Sequence, residues 1–423
     1  MPRAANARAA GGFEMADILL VVEGSGGDFY PFLEIRKELL ARGHGVKVLG
    51  SPMKEFEPTL RRACPDFVQL LGEKPQTYQG WLAEHGQADS ARSRFLYAAA
   101  QSVTACRVIL AHCRTADTLP VAMFSLHVAA QMAADRLGRR YLPVFSGPHM
   151  LKVAMTVFEA FAPYHKYLNV LRKSFGLGPV EDWETWMKSP GRGLGVWPEW
   201  FAGTEPDDLF PVTHAGFIEN AEAETGELPA DLLSFLEEGE PPVLITHGTT
   251  RPELDGYFES AVEGCRFAGM RCVVVTTQAD LLPASLPEGV RHYERLPFAD
   301  LMPRTKAVIH HGGIGTAAQA LAAGVPQLIL PFRHDRPDNA ERLKRYGVAD
   351  WLPPIFWRAE AVAKSLRALA TSPSVRESCA VARGKHKRRQ SIINACDAIE
   401  AAARPAPYSG RDAAALGKVL QAV

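Results

Sequence analysis

The stretch Val308-Ile309-His310-His311-Gly312-Gly313-Ile314-Gly315-Thr316 is followed by alanine-rich residues and then by Gly324-Val325-Pro326-Gln327-Leu328-Ile329-Leu330-Pro331. Each apolar run has the length of a buried strand, and the alanine-rich segment between them favours a helix. The sequence therefore predicts a strand, a glycine turn, a helix and a second strand. The glycines and Thr316 fall at the helix N-terminus of this α/β unit.

A glycine turn at a helix N-terminus is suited to binding a diphosphate. Unpaired backbone N–H groups and the positive end of the helix dipole face such a ligand, and the missing Cβ atoms let phosphate oxygens approach. A plain tight turn is the alternative, because glycine turns between strands and helices are common in α/β folds. The residues predicted to contact the diphosphate are His311, Gly312, Gly313, Gly315 and Thr316.

The residues after the second strand extend this pattern. Between Leu296 and Asn339 the blocks His-x-Gly-x-Gly-Thr, Gly-x-Pro and Asp-x-x-x-Asn stand in register. Together they resemble the donor-binding signature of nucleotide-sugar glycosyltransferases of the GT-B fold, of the UDP-glycosyltransferase type. With Trp197–Phe201 and His214–Phe217, the chain also resembles the bacterial rhamnosyltransferase B chains of rhamnolipid synthesis. The resemblance implies an α/β fold with two Rossmann-like domains facing each other across a cleft.

Length and composition restrict the class of protein. A chain of 423 residues has room for two domains, and 47 basic against 47 acidic residues give no indication of a nucleic-acid partner. The basic run Lys385–Arg389 is interpreted as a solvated helix face, with transient membrane-surface contact as the alternative. Seven cysteines without a C-x-x-C pair indicate reduced thiols in a cytoplasmic protein and no metal site. The oligomeric state is not predicted.

Alternating apolar runs and amphipathic segments predict the domain organisation. Residues 16–217 are expected to form the acceptor-binding domain and 229–404 the nucleotide-sugar-binding domain, joined by a linker at 218–228. Residues 1–15 lack the apolar core of a secretory signal, so they are not interpreted as one. They are expected to be a disordered extension. The tail 405–423 is expected to end in a helix that, by the resemblance, packs back on the first domain.

A second glycine loop, Glu23-Gly24-Ser25-Gly26-Gly27-Asp28, follows the first predicted strand. A dinucleotide site needs an acidic residue at the end of the second strand, and Val48-Leu49-Gly50-Ser51 has none, which argues against a dehydrogenase. The loop resembles the Gly-Ser-x-Gly-Asp-x-x-Pro-Phe opening of bacterial glycosyltransferases that act on lipids, sterols and polyketides. That resemblance implies that Gly26 and Gly27 border the acceptor.

Two residues are candidates for the catalytic base. Asp28 is one, because inverting transfer needs a group that takes the proton of the acceptor hydroxyl. A helix-capping aspartate is the alternative, since Asp is common at helix starts. Plant members of the superfamily place a histidine in this loop, and this chain has none there. His149, after the predicted strand Tyr141–Phe145, is the second candidate, with a packed or solvated histidine as its alternative.

The resemblance also assigns the other donor contacts. It implies that Thr249 and Thr250 touch phosphate, and that the nucleobase is held by the segment of Arg295, Leu296 and Phe298. The sugar contacts implied are Asp335, Arg336 and Asn339. Arg336 stands where the family usually has Gln, so the identity of the sugar does not follow from the resemblance. His310 and Asn339 are also interpreted as supports of the loop and helix.

The function predicted is an inverting, metal-independent glycosyltransferase. It moves a sugar from a UDP- or dTDP-sugar, its donor substrate, to a hydroxyl of an apolar small-molecule or lipid acceptor, and it needs no cofactor. The aromatic segment Met150–Pro190 is predicted to be helical and to cover the sheet or wall an acceptor pocket. A nucleotide-sugar epimerase and a catalytically silent binding protein are the alternatives. Domain closure about the linker is expected to bring Asp28 to the donor.

Overall fold

The computed structural model divides into two compact units. Unit 1 comprises the chain up to Gly216 and again from Arg389 onward, and unit 2 comprises Phe217–Arg388. The residues described are 15–54, 56–71, 78–113, 117–160, 162–206, 208–219, 226–248, 251–252, 254–282 and 285–404. The expected disordered extension, apart from Met15, and the expected helix Arg411–Ala422 lie outside this range, as does most of the linker.

Unit 1 alternates strands and helices over its first 216 residues. The elements are β1 (Asp17–Gly24), α1 (Gly26–Ala41), β2 (Gly45–Pro52), α2 (Glu57–Ala63), β3 (Val68–Gln69), α3 (Tyr78–Glu84), α4 (Ala91–His112), β4 (Leu119–Met123), α5 (His127–Leu137), β5 (Leu142–Phe145), α6 (Pro148–Ala160), α7 (His165–Ser174), α8 (Trp183–Lys188), β6 (Gly193–Gly195) and β7 (Val212–His214).

These seven strands form one sheet in the order β3-β2-β1-β4-β5-β6-β7. Every pairing is parallel. Parallel sheets are covered on both faces, which explains why the central strand β1 has a continuous apolar run with Leu20, Val21 and Val22 fully buried. The carboxyl ends of all seven strands therefore lie at one edge of the sheet.

Unit 2 repeats the same architecture with fewer strands. Its elements are α9 (Ala230–Glu237), β8 (Val243–Thr246), α10 (Tyr257–Ala268), β9 (Cys272–Val275), β10 (Val290–Tyr293), α11 (Phe298–Leu301), β11 (Ala307–His310), α12 (Ile314–Ala323), β12 (Gln327–Ile329), α13 (Arg336–Arg345), β13 (Ala349–Trp351), α14 (Ala359–Thr371) and α15 (Pro373–Lys385). The six strands pair in parallel in the order β10-β9-β8-β11-β12-β13.

The core of unit 2 lies on both faces of its sheet. Alternate residues of β8 supply each face: Val243 and Ile245 pack with α10 and α14 residues, and Leu244 packs with α9 residues. This alternation is the two-residue period of a strand that is buried on both sides. The sheet is therefore a rigid platform for the loops at its carboxyl edge.

The last described helix, α16 (Arg388–Ala403), packs in unit 1. Arg42 donates to Asp397 at 2.6 Å, and the buried His44 and Glu400 lie 3.0 Å apart. The second domain was expected to continue to residue 404, whereas unit 2 ends at Arg388. Unit 2 ends earlier because α16 buries polar and apolar side chains against α1 and the turn after it.

Helix α1 also begins earlier than the apolar pattern indicates. The pattern predicts a helix from Tyr30, but α1 begins at Gly26, with Ser25 as its N-cap. The backbone N–H of Ser25 donates to the Asp28 carboxylate at 2.9 Å. This is the reciprocal bond of a capping box, and it lets the helix start inside the glycine loop.

All seven cysteines are buried free thiols. Among the described helices, none combines the length and apolar character needed to cross a bilayer. The same described residues contain no group of three or more metal-ligating side chains in a metal-binding arrangement.

Candidate functional site

In each unit the order in which strands are added to the sheet reverses beside the first strand of that unit. In unit 2, β9 and β10 lie on one side of β8 and β11 lies on the other. In unit 1, β2 and β3 lie on one side of β1 and β4 on the other. Ligands of open α/β sheets bind at the carboxyl ends of the strands at such a switch point. The loops that follow β8, β11, β1 and β4 are therefore the places to look for a site.

The glycine loop of unit 2 follows β11 and is held by two buried side chains. Gly312 has φ +93°, which favours glycine. Its N–H donates to His310 Nδ1 at 3.1 Å, and its carbonyl accepts from Asn339 Nδ2 at 3.0 Å. His310 Nε2, which must then carry the ring proton, donates to Gln327 Oε1 at 2.9 Å. Burial lowers the pKa of His310 to about 4, so this support stays neutral.

Helix α12 starts directly after this loop, and no side chain of a described residue caps it. Gly313 is the N-cap, and the first backbone bond back into the helix runs from the Ala317 N–H to the Gly313 carbonyl at 3.1 Å. The N–H groups of Ile314, Gly315 and Thr316 lie in the first turn, where an α-helix offers no internal acceptor. A Cβ built on Gly315 would meet no atom within 4 Å. This helix end can receive an anion.

His311 lies at the same helix end and is almost fully buried. The His311 side chain fills the space beside two glycines. It would lie 2.4 Å from a Cβ atom built on Gly313 and 2.7 Å from one built on Gly248. Its Nδ1 is buried and has no hydrogen-bond partner within the part of the chain that the structure describes. Burial, followed by the charges of His247, Arg336 and His310, holds the pKa of His311 well below its usual value. A neutral imidazole with an unused polar atom is thus built into the loop.

His247, at the end of β8, was not among the predicted site residues. The pairing of His310 with Thr246 places the loops after β11 and β8 side by side. The rings of His247 and His311 have centroids 4.7 Å apart and are tilted by 33°. The signal available in the sequence is a histidine directly after a buried strand, next to Gly248. The predicted phosphate contacts Thr249 and Thr250 follow it and lie outside the described residues.

The three predicted sugar-binding residues lie at the start of α13. Asp335 is the N-cap of α13, and its carboxylate accepts from Asn339 Nδ2 at 2.8 Å. Arg336 opens the helix, and its carbonyl would lie 3.0 Å from a Cβ on Gly312. His334 has φ +63° and is the non-glycine residue with positive φ among those described. The loop therefore places Asp335 and Arg336 beside the glycine loop at the expense of backbone strain.

The three residues predicted to hold the nucleobase lie further along the sheet edge. Arg295 is exposed, whereas Leu296 and Phe298 are half-buried and pack against the core below. Their segment follows β10, three strand positions from β11. With neighbouring strands about 4.8 Å apart, this separation is about 14 Å. Leu296 and Phe298 thus have a packing role, and Arg295 presents its side chain to solvent at the edge where the glycine loop lies.

In unit 1 the candidate base Asp28 bonds to its own loop. Its Oδ2 accepts from the Ser25 N–H at 2.9 Å and from the Ser25 hydroxyl at 3.1 Å. A Cβ on Gly24, where φ is +115°, would lie 2.4 Å from the same oxygen. Asp28 therefore caps α1. Capping occupies one carboxylate oxygen and does not by itself exclude a second role.

Glu23 is a second carboxyl at this place that sequence analysis passed over. It is the penultimate residue of β1, and its side chain hydrogen-bonds Ser125, which follows β4 on the other side of the switch point. Burial raises the pKa of Glu23, the Ser125 hydrogen bond opposes that shift, and the charge of Asp28 adds to it. The signal in the sequence is an acidic residue directly after the apolar run Ile18–Val22. The loop thus holds two neighbouring carboxyls.

The remaining predicted residues of unit 1 lie around this loop. A Cβ on Gly26 would lie 3.1 Å from the Phe56 ring, so packing alone explains that glycine. Gly27 is exposed and would meet only Ser25 Oγ, at 3.7 Å, so packing does not require it. His149 is half-buried in the first turn of α6, after β5. Two strand spacings, about 10 Å, separate β5 from β1.

The aromatic segment Met150–Pro190 forms α6, α7 and α8, and its rings pack on one another. Phe158 stacks on His165 with centroids 4.3 Å apart, and Trp183 meets Trp186 edge to face at 5.4 Å. Trp186 also donates to Asp135 Oδ2 at 2.8 Å, which ties α8 to α5. These contacts give the segment a covering role over α5. An acceptor-lining role stays a prediction.

Comparison with known proteins finds a family match over part of the chain. Residues 270–391 match the family described as erythromycin biosynthesis protein CIII-like, C-terminal domain. O-mycaminosyltylonolide 6-deoxyallosyltransferase of Streptomyces fradiae is 39% identical over 183 residues, which are 40% of this chain and 40% of that protein. A sterol 3-beta-glucosyltransferase of Leptosphaeria maculans is 26% identical over 405 residues, 81% of this chain and 26% of that protein. The chain spans less than half the length of these curated relatives.

The fold has counterparts among solved structures. The glycotransferase of kitacinnamycin superposes with a TM-score of 0.71 at 20% sequence identity, covering 92% of this chain and 99% of that one. The more specific resemblance to rhamnosyltransferase B chains stays a prediction. The chain has the GT-B fold of nucleotide-sugar glycosyltransferases, and its residues 270–391 match the erythromycin biosynthesis protein CIII-like family of C-terminal domains.

Proposed function

We propose that the protein is an inverting glycosyltransferase that uses a UDP- or dTDP-sugar. Unit 2 binds the nucleotide sugar, and unit 1 binds an apolar small-molecule or lipid acceptor and accepts the proton of its hydroxyl. The reaction breaks the bond between the anomeric carbon and the diphosphate and forms one to the acceptor oxygen. The nucleoside diphosphate leaves with the bonding electron pair. A cytoplasmic location and independence of metal are part of this proposal.

One observation carries the donor half. Among the described residues, the buried His311 Nδ1 has no hydrogen-bond partner and no side chain caps the N-terminus of α12, at the switch point of the sheet. Helix N–H groups and a buried donor that are fixed before the ligand arrives can stabilise the charge that develops on a leaving diphosphate. The match over residues 270–391 includes this loop, which supports the same assignment.

The acceptor half is carried by the loop of unit 1. Asp28 is the proposed base, because its carboxylate lies in the loop after β1 at the switch point of unit 1 and a carboxylate can take the proton of an acceptor hydroxyl. His149 is kept as the alternative base. The printed names of the two relatives refer to O-mycaminosyltylonolide and to sterols. Macrolide and sterol hydroxyls are accordingly the first acceptors to try, with 3-hydroxy fatty acids as the lipid probe.

The donor assignment is tested by isothermal titration calorimetry with UDP, dTDP, GDP and NAD. We expect UDP or dTDP to bind, and His311→Ala to weaken that binding by about tenfold or more, the effect of losing a charge-assisted hydrogen bond. His112→Ala is the matched control, because His112 Nδ1 bonds a helix carbonyl of α4 in unit 1. Binding of none of the four ligands would reject the proposal.

The transfer step is tested by incubating UDP- and dTDP-sugars with the trial acceptors and identifying the products by mass spectrometry. A glycosylated acceptor that forms with release of the nucleoside diphosphate supports the proposal. Release of the nucleotide without an acceptor product, together with a changed sugar stereocentre, would indicate the epimerase alternative. Tight nucleotide binding with no turnover would indicate a silent binding protein.

A further inference from the structure

A second imidazole faces the proposed diphosphate site from the neighbouring strand. His247 and His311 are 4% and 8% exposed, and their ring centroids lie 4.7 Å apart. Tyr257 of α10 meets His247 edge to face at 4.8 Å, and its hydroxyl donates to the Thr246 carbonyl at 2.9 Å. The His247 ring is therefore held in place from the sheet side, next to the helix end that is open to an anion.

Among the described residues, the ionisable groups that surround this pair are mostly cationic or neutral. From β11 comes His310, which is neutral and bonded to Gln327. From α10 comes Tyr257, whose pKa is raised by burial. From α13 come Arg336, whose positive charge acts on His311, and Asp335, whose carboxylate accepts from Asn339. With no ligand bound, burial and this positive surrounding keep His311 neutral near pH 7.

A diphosphate would reverse that balance. Two or three negative charges at the N-terminus of α12 would favour the protonated form of a nearby buried imidazole, because an opposite charge within a few ångströms raises its pKa. Two imidazoles whose centroids are 4.7 Å apart repel each other when both are charged, so they titrate as a pair and hold one proton more readily than two.

We propose that His247 is a second donor-binding residue and that the His247–His311 pair takes up one proton when a nucleoside diphosphate binds. This inference rests on the proposed function and deepens it. It makes donor affinity depend on pH: for uptake of one proton, the association constant rises by up to about tenfold for each unit by which the pH falls, until the pair is protonated in the empty site.

The test is calorimetric titration of the full-length protein with UDP and with dTDP at pH 7.5 in buffers of different ionisation enthalpy. The slope of binding enthalpy against buffer enthalpy counts the protons exchanged. We expect an uptake of about one proton per nucleotide, and an affinity that increases from pH 8 to pH 6.5. This measurement needs no variant, so it decides the question even if substitutions at the pair prevent folding.

Variants then assign the proton to the pair. His247→Phe keeps a ring between Tyr257 and His311 but removes both nitrogens, and we expect about tenfold weaker UDP or dTDP binding with reduced proton uptake. His247→Gln keeps a polar group that does not titrate. Compared with His247→Phe, we expect it to bind the nucleotide more tightly and to show the same reduced proton uptake. His112→Phe, in unit 1, is expected to keep both properties of the unaltered protein.

Two results would overturn the inference, and they differ in whether the proposed function survives. Nucleotide binding with no proton uptake, or with full uptake retained in His247→Phe, rejects the role of the pair while the proposed function survives. Binding of neither UDP nor dTDP at any pH from 6.5 to 8 rejects both.

Discussion

The two glycine turns at the switch points, one in each unit, have the same backbone plan and opposite side-chain chemistry. Each follows a central parallel strand, contains a glycine with positive φ and opens a long helix; the glycines are Gly24 in unit 1 and Gly312 in unit 2. The turn of unit 1 holds two carboxyls, Glu23 and Asp28. The turn of unit 2 is lined by two imidazoles and the charge of Arg336.

Burial acts on both turns in the same direction, toward the neutral form. It raises the pKa of the Glu23 carboxyl and lowers the pKa of the His311 imidazole. One backbone motif thus carries carboxyls in unit 1 and imidazoles in unit 2, depending on which residues the strand ends supply. Under the proposed function, the first turn removes the acceptor proton and the second binds the diphosphate, and separate variants test each role.

The largest effect is expected from Asp28→Asn. Loss of a general base lowers turnover by about 10²- to 10⁴-fold, whereas the amide oxygen still accepts from the Ser25 N–H, so Tm changes little. Turnover and Tm are measured on the same preparation. Asp182→Asn is the matched control, because Asp182 caps α8 by accepting from the Thr185 N–H. Full turnover in Asp28→Asn would reduce the role of Asp28 to capping.

The second prediction concerns Gly312→Ala, which tests how tightly the turn of unit 2 is built. A side chain there must adopt φ +93° and would place its Cβ 3.0 Å from the Arg336 carbonyl oxygen. We expect the free energy of unfolding to fall by about 2–4 kcal/mol, since strained backbone and a clash with immobile atoms add. Urea denaturation of the two proteins measures this difference.

Gly315→Ala is the control for that change, because its Cβ would meet no atom within 4 Å in helix α12. Alanine favours a helix over glycine by up to about 1 kcal/mol, so the variant should be at least as stable as the original protein. A stable Gly315→Ala protein with weakened UDP or dTDP binding would show that a phosphate needs the space. Loss of stability in both variants would contradict the distinction between the two glycines.

The third prediction uses pH to test the carboxyl pair of unit 1. A carboxyl whose pKa is raised in the folded state costs stability once the pH exceeds its unfolded pKa, and the cost becomes complete above the folded pKa. Glu23→Gln removes that cost and can keep a hydrogen bond to Ser125. We expect a higher Tm than the original protein at pH 7.5 and a similar Tm at pH 4. An equal change in Tm at both pH values would show that ionisation of Glu23 does not lower the stability of the folded protein.

The smallest effect is expected from His334→Gly. A residue with a side chain at φ +63° carries left-handed strain, and glycine relieves it at the expense of some unfolded-state entropy. We expect a gain of about 0.5–1 kcal/mol in the free energy of unfolding, measured by urea denaturation. His334→Ala keeps the Cβ and should give no gain. A loss of stability in His334→Gly would mean that the histidine side chain itself holds the loop.

Much of this architecture follows from the sequence because its strands are buried on both faces. Continuous apolar runs such as Ile18–Val22 and Ala307–Ile309 can be recognised without tertiary information, and the glycines that follow them locate both turns. The short strands β6 and β7 were not predicted, because three residues such as Gly193–Gly195 carry no periodic signal. Their place is set by pairing with β5 and with each other.

Only part of the candidate site could be predicted from the sequence. His311 and the adjacent glycines stand in one contiguous motif, so local sequence suffices to propose them. His247 and Glu23 act through neighbours that are distant in the chain, His311 and Ser125, and only the strand order brings these residues together. The unit boundary at Arg388 escaped prediction for a similar reason, since the contacts of α16 with Arg42 and His44 join positions more than 350 residues apart.

The return of α16 to unit 1 has a consequence for modular exchange. The chain leaves unit 1 at Gly216 and re-enters it at Arg389, and Asn394 of α16 donates to the Ala215 carbonyl at 3.1 Å, so the exit and the re-entry are neighbours. Within unit 2, His386 meets Glu219 at 3.2 Å, so its two ends are also close. Unit 2 is thus a single continuous insert, Phe217–Arg388, with adjacent ends. Under the proposed function, a graft of this one segment from a relative would change the donor while unit 1 keeps both its parts.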